Sequence, residues 1–454
     1  MFTSSKLLKT IACGGALTLV GALVPAGVAP VFDGAAWAQE NERPKPRKTK
    51  EAYVMSLAFN RPMEKVREAF EAEDYATAKA ELLKLKKKKG AKEFDLATLD
   101  QYLAMIAFEE EDTQGAIGYY REIASFTDIP EYMRDGAIYA LAQLYYSVEQ
   151  YEQSLQYLRR WFDLETTTPN AQHYVFRGQT LYTLERYQEA IPDILQAINM
   201  TKESGEPVKE NWWQILMSAY YSLDDFQKVK EVLTVLALKF PKPTYWHQLA
   251  GIYGELGMEK EQMGLMELSY RQGYFEKETH YEVLSQLYLI NGAPYRSAQL
   301  MKEGFEKGVV SEEDYKNFEL LSIALTNAQE LEDAIPELEK AADLADDGEL
   351  YQRIGLLYLQ VEDWENCVSS MDKAVELGID DEEDALMILG NCQFSQYEFD
   401  EARKTFRRTV TAARANKNDQ TMKNAQKWIK VIDQEQRRYN EIVAEGLMPA
   451  KRGN

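Results

Sequence analysis

Aromatic rings recur at nearly one interval through the first half of the chain, at Phe70, Phe108, Tyr146, Tyr182 and Tyr221. Rings spaced this way can line up as a row of flat apolar faces, and the tyrosines add hydroxyls. Gln143 and Gln179, one helical turn before two of the rings, add amides that can bond a peptide backbone. Such a row suits an extended peptide or a helix of a protein partner. His247, beside Trp246, reads as a further groove-facing polar residue. The competing reading is that the rings only pack between neighbouring elements, because aromatics are ordinary core. Rows of Tyr and Trp also stack sugars, so a glycan-binding module is an alternative function.

Residues for covalent or metal chemistry are scarce. The chain has 3 His and 3 Cys in 454 residues. His173, His247 and His280 lie far apart in sequence, and none sits in H-E-x-x-H. There is no C-x-x-C, no G-x-x-x-x-G-K-[ST] and no G-x-S-x-G. The run Asp380-Asp381-Glu382-Glu383-Asp384 lacks the glycine and alternating spacing of a calcium loop. It reads as the acidic first turn of a helix, where carboxylates are favoured. The expectation is a non-enzymatic protein with no cofactor and no metal.

The elements that would position the rings come from an internal repeat of 33 to 39 residues. Its anchor is an aromatic or apolar residue, two variable positions and a small residue. It appears at Tyr75, Thr113, Tyr151, Tyr187, Phe226, Leu331, Trp364 and Phe399, and more worn near Gln262 and Ala298. Each member of the aromatic row lies five residues before an anchor. Nine residues before each anchor stands a small or apolar residue: Val66, Ala104, Ala142, Gly178, Met217, Ala250, Ser285, Ser322, Gly355 and Gly390. Small residues on both helices of a hairpin let the backbones approach closely, and stacked hairpins bury what one hairpin cannot. Cys367 takes the small position of its repeat, so two buried thiols at Cys367 and Cys392 are expected, with a disulfide left to geometry. Gly292-Ala293-Pro294 is expected to stretch one turn. The lysine run Lys84–Lys89 is expected to close a helix in solvent. Asp419 to Ala444 reads as a charged capping helix.

Composition agrees with a globular chain: 45% hydrophobic and 28% charged. It excludes a wholly disordered chain, a disulfide-stapled miniprotein and a polytopic membrane protein. A formal charge of −22 should repel nucleic acid and anionic lipid. Residues 1–38 read as a signal peptide: Lys6 and Lys9, an apolar run from Ile11 to about Val31, then Ala36-Trp37-Ala38 with cleavage after Ala38. Pro25 and Pro30 weigh against a retained membrane span, and acylation at Cys13 is the weaker alternative. Residues 39–60 form a polar basic leader around Arg43-Pro44-Lys45-Pro46-Arg47-Lys48, residues 61–415 the repeat array, and 416–454 the capping helix and tail. The mature chain is expected in the periplasm with no integral membrane span.

The repeat pattern, found ten times in register, resembles the tetratricopeptide repeat (TPR). That resemblance implies an all-α TPR solenoid, a right-handed superhelix of about ten helical hairpins whose first helices line a concave groove. More idiosyncratic stretches resemble the periplasmic TPR proteins associated with TonB systems of gammaproteobacteria. They are Pro207 through Trp213 and on to Val232, Lys242 through Gly257, Asp347-Gly-Glu-Leu350 and Ile138 through Tyr145. This second resemblance implies an accessory of the TonB–ExbB–ExbD energy-transducing machine for outer-membrane iron and nutrient uptake, and carries no catalytic residues. The expected function is a protein-interaction scaffold of that system; an envelope-assembly adaptor for cell wall, pilus or outer-membrane machinery is the alternative alongside the glycan binder.

Overall fold

The computed structural model describes residues 53–445. The expected signal peptide, the leader up to residue 52 and the tail beyond residue 445 lie outside the described residues. Among the described residues every regular element is a helix. Two compact units divide at residue 223.

The N-terminal unit holds α1 (Leu57–Glu71), α2 (Tyr75–Lys86), α3 (Glu93–Glu109), α4 (Thr113–Ser125), α5 (Glu131–Ser147), α6 (Tyr151–Phe162), α7 (Ala171–Thr183), α8 (Tyr187–Glu203) and α9 (Glu210–Tyr221). The C-terminal unit holds α10 (Phe226–Lys239), α11 (Pro243–Glu255), α12 (Glu259–Arg271), α13 (Glu278–Ile290), α14 (Pro294–Glu306), α15 (Tyr315–Asn327) and α16 (Leu331–Ala345). It continues with α17 (Gly348–Gln360), α18 (Trp364–Leu377), α19 (Glu382–Ser395), α20 (Phe399–Ala415) and α21 (Asp419–Ala444). In the N-terminal unit α1/α2, α3/α4, α5/α6 and α7/α8 pair as hairpins, and in the C-terminal unit α11/α12, α13/α14, α15/α16, α17/α18 and α19/α20 do; the second, closing helix of each packs on the helix that follows it.

The clear anchors are the first residues of closing helices: Tyr75, Thr113, Tyr151, Tyr187, Phe226, Leu331, Trp364 and Phe399. The expected close contact also forms, between residues twelve apart. The Ser154 hydroxyl donates to the Ala142 carbonyl at 2.7 Å, and the Ser322 hydroxyl to the Ala334 carbonyl at 2.9 Å. The Ser285 and Ser297 hydroxyls share a bond at 2.5 Å, so Ser297 rather than Ala298 fills the close position of its worn repeat. A Cβ on Gly178 would lie 2.7 Å from Ile194 Cδ1 and 3.2 Å from the Ala190 carbonyl, which is why that opening helix needs glycine there.

One feature of the turns has no signal in residue type. Two residues before each closing helix the backbone enters the left-handed region, at Glu73, Glu111, Glu149, Glu185, Asp224, Gln329, Glu362 and Tyr397, and at Gly257 and Gly292. The following N–H reaches back to the opening helix, as from Asp112 to the Ala107 carbonyl at 2.7 Å and from Gln150 to the Tyr145 carbonyl at 2.8 Å. That is a Schellman closure. Non-glycine residues tolerate it because the surrounding hairpin determines the turn, at about 1 kcal/mol each. Gly257→Ala meets no atom within 4 Å, so only backbone strain opposes it. It is expected to lower stability by about 1 kcal/mol in urea unfolding.

Three expectations are corrected. Gly292-Ala293-Pro294 does not stretch its turn: α13 ends at Ile290 and α14 opens at Pro294, a three-residue link like that before α6. Pro294 takes the anchor place and Tyr295 is exposed. The lysine run does end α2, but Lys86 is not solvated. Its ammonium lies 2.5 Å from Asp100 and 2.6 Å from Glu122, and burial pushes the Asp100 carboxyl up to about 6. Cys367 and Cys392 are not free thiols: they form a disulfide between α18 and α19, with Cα atoms 6.2 Å apart. The acidic run does form the first turn of α19, where Asp381 caps the Asp384 N–H.

Candidate functional site

The aromatic row lies near the C-terminal ends of α1, α3, α5, α7 and α9, all in the N-terminal unit. Phe70, Phe108, Tyr146, Tyr182 and Tyr221 are each half-buried, as are Gln143 and Gln179. Their placement five residues before the anchor brings ring against ring across the hairpin turn. Phe70 meets Tyr75 edge-on at 5.5 Å, Tyr146 meets Tyr151 at 5.1 Å and Tyr182 meets Tyr187 at 5.3 Å. Phe108 faces Tyr120 at 6.2 Å.

The row is also tied from one hairpin to the next. Phe70 packs edge-on against Tyr102 at 5.2 Å, and Tyr146 against Phe176 at 5.4 Å. Tyr102 and Phe176 form a second row, eleven residues before their anchors, that the sequence reading missed although the repeat spacing carries it. The Gln179 amide donates to the Tyr146 hydroxyl at 3.1 Å, joining α5 to α7. Burial raises the Tyr182 phenol, and Ser218 on α9 opposes that shift. Phe70, Phe108, Tyr146 and Tyr182 are thus each committed in part to packing while the residue stays accessible. The rings can present faces to a ligand without having to be ordered first, which limits the entropy lost on binding.

Beside this row a denser cluster fixes α7. His173 lies 4.4 Å from Trp161 and 4.9 Å from Tyr139, and burial holds its imidazole at about 4. Arg177 makes a two-pronged ion pair with the nearly buried Asp193, both bonds 2.6 Å, and its guanidinium lies 3.7 Å over Phe162. This Arg clamp gave no pattern in sequence, because its partner is chosen by the packing of α7 on α8.

His247 belongs to the C-terminal unit, on α11, apart from the aromatic row. The structure brings it to His280 of α13, with ring centroids 3.8 Å apart. His247 Nε2 and His280 Nδ1 are buried without a hydrogen-bond partner. Burial, then the charges of His247 and Lys277, hold His280 at about 4. Burial and Lys277 lower His247 as well, with Glu276 opposing. An imidazole in the unfolded chain takes its proton near 6.5. The folded state therefore binds fewer protons than the unfolded state between about 6.5 and 4, and this pair makes stability fall as pH drops through that window. His280→Gln is expected to reduce the loss between pH 7.5 and pH 5 by about 1–2 kcal/mol, read from urea midpoints at the two pH values.

Among the described residues no group of three or more His, Cys, Asp or Glu is placed to hold a metal ion. No described helix is long and apolar enough to cross a membrane.

The fold and the row of rings define an all-helical repeat protein. Residues 353–417 match the tetratricopeptide repeat family, and residues 109–198 match the family described as anaphase-promoting complex, cyclosome, subunit 3. Together with the hairpins and their twelve-residue contact, these matches support a tetratricopeptide-like helical repeat architecture. Similar solved structures include a tetratricopeptide repeat protein from Parabacteroides merdae, 16% identical over 60% of this chain and 100% of that one, TM-score 0.33. The TPR2AB domain–pHSP90 complex of yeast Sti1 is 16% identical over 60% of this chain and 97% of its own, TM-score 0.31. MamA from Desulfovibrio magneticus is 15% identical over 39% and 94%, TM-score 0.31. No curated protein matches the chain.

Proposed function

We propose that the protein is an exported, non-enzymatic scaffold that holds an extended segment or a helix of a protein partner along the opening helices of its N-terminal unit. The observation that carries this is the half-exposed row Phe70, Phe108, Tyr146, Tyr182 and Tyr221, one ring per opening helix, with Gln143 and Gln179 between. Rings and amides repeating at the interval of the hairpins match the repeating side chains and backbone of an extended ligand. Export is supported by the leader-like residues 1–38 and by the Cys367–Cys392 bond, since disulfides persist in oxidising compartments. The partner is assigned to a periplasmic region of a TonB–ExbB–ExbD component, with a role in iron uptake. That finer assignment rests on the stretches Lys242 through Gly257 and Pro207 through Val232.

The test is in-cell photo-cross-linking from positions 143 and 179 under iron limitation, followed by mass spectrometry of the captured chains. Capture of TonB, ExbB or ExbD homologues supports the whole reading. Capture of cell-wall or pilus proteins keeps the groove and removes the TonB assignment. Replacing Tyr146, Tyr182 and Tyr221 with alanine is expected to weaken capture at least tenfold, each ring contributing about 1 kcal/mol. Unchanged capture by a triple variant of normal helicity would refute the groove.

A further inference from the structure

We propose that the outer face of α21 is an electrostatic docking surface for an anionic lipid bilayer, a site separate from the aromatic row. The helix packs on α19 and α20 through Ala425 and Ile432, with Trp428, Ile429 and Tyr439 partly covered. Its other side carries Lys423, Lys427, Lys430 and Arg437, all exposed. Spacings of four, three and seven residues put these cations on one stripe, about 21 Å long at helical rise. None of the four has an ion pair among the described residues. Arg438 adjoins the stripe and reaches only Glu435, at 3.9 Å, with its side chain 72% exposed.

The stripe runs against the character of the chain. Overall the formal charge is −22, yet residues 399–445 contain eleven Lys or Arg against seven Asp or Glu, a net +4. A capping helix needs only a polar outer face, and in this composition a chance one would be acidic. Like charges three and four apart also weaken a helix, so repetition of Lys works against the fold. Asp433, at the edge of the stripe, is turned to Arg403 at 3.0 Å, and the exposed Asp419 and Glu441 on the same face lie one helical turn beyond its two ends, so the cations between them are uninterrupted by an acid. The acidic remainder does not decide the matter at a surface, because charges more than about 10 Å away are largely screened at 0.1 M salt.

The chemistry of the stripe selects a bilayer over a protein. Protein interfaces centre on aromatics, Met and Arg and are poor in Lys. Here three of the four aligned cations are Lys, and the one large exposed apolar residue among them is Val431, at 38%. Lysine ammoniums are mobile point charges, which a fluid array of lipid phosphates meets without fixed geometry. With no exposed aromatic to insert, attachment would be peripheral and sensitive to salt.

The experiment uses the full chain in co-sedimentation with vesicles of phosphatidylcholine alone and with about 30% phosphatidylglycerol, at low and high sodium chloride. Binding is expected only to the anionic vesicles, and to fall steeply with salt. The variant combining Lys423→Gln, Lys427→Gln, Lys430→Gln and Arg437→Gln is expected to bind about 100-fold more weakly, with unchanged circular dichroism. The variant combining Lys84→Gln, Lys87→Gln and Lys89→Gln, on the other lysine run, is expected to bind like the parent. Equal binding to both vesicle types, no binding to anionic vesicles at low salt, or loss in the second variant but not the first would each overturn the proposal. So would retention of an acidic polypeptide such as polyglutamate by a chain that ignores the vesicles.

Discussion

Gly390→Val is expected to lower the unfolding free energy of the C-terminal unit by about 3 kcal/mol. Gly390 is the small residue of α19 at its closest approach to α20. A Cβ there would lie 2.7 to 2.9 Å from three ring atoms of Phe406. That ring cannot retreat, since Phe406 is fully buried and lies face to face with Trp428 of α21 at 5.7 Å. The strain must therefore be met by separating α19 from α20, which opens the layer under the capping helix. Urea unfolding followed by tryptophan fluorescence reads the effect. Adding Phe406→Leu to Gly390→Val removes the ring edge and is expected to recover part of the loss, as contacting sites couple. A single variant that unfolds with the parent would mean that these helices do not approach as closely as the structure has them.

Removing the Cys367–Cys392 bond is expected to cost the same unit about 3 kcal/mol, because it closes a loop of 25 residues in the unfolded chain. The test must separate the bond from the packing of its sulfurs. Cys367 occupies the place that Ala78, Ala116, Ala190, Ala334 and Ala402 occupy in other repeats, so alanine fits there. The double variant Cys367→Ala with Cys392→Ala is expected to melt several degrees below the oxidised parent. Dithiothreitol is expected to lower the parent toward the double variant and leave the variant unmoved. A parent insensitive to dithiothreitol, with free thiols on titration, would show that the bond does not form in solution. That would remove one of the two supports for export.

Much of the hairpin architecture was legible in the residues. Eight anchors open helices as read, and α21 runs over the same residues, Asp419 to Ala444, that its charge pattern marked. The acidic run at Asp381 to Asp384 became a capped first turn. The placement of the candidate residues was legible in part: five rings and two glutamines picked out by period are half-buried on opening helices of the N-terminal unit, while His247 lies apart from them. Their mutual packing was not foreseen, nor the second row at Tyr102 and Phe176. Whether a ring faces a ligand or its neighbour depends on how far one hairpin turns on the next, which no single repeat encodes. The left-handed turns escaped notice because Glu has no preference for that region; the hairpin imposes it.

By itself, then, the sequence determined that the repeat array is helical, where eight of its closing helices begin, and that the repeats run in register. Contacts twelve residues apart and turns of three are local enough for residue size and period to specify them. The tertiary structure decided which distant groups meet: His247 with His280, Arg177 with Asp193, Lys86 with Asp100 and Glu122, and Cys367 with Cys392. Those pairings follow from the rotation between stacked elements, a sum of many weak packing contacts in which no one residue dominates.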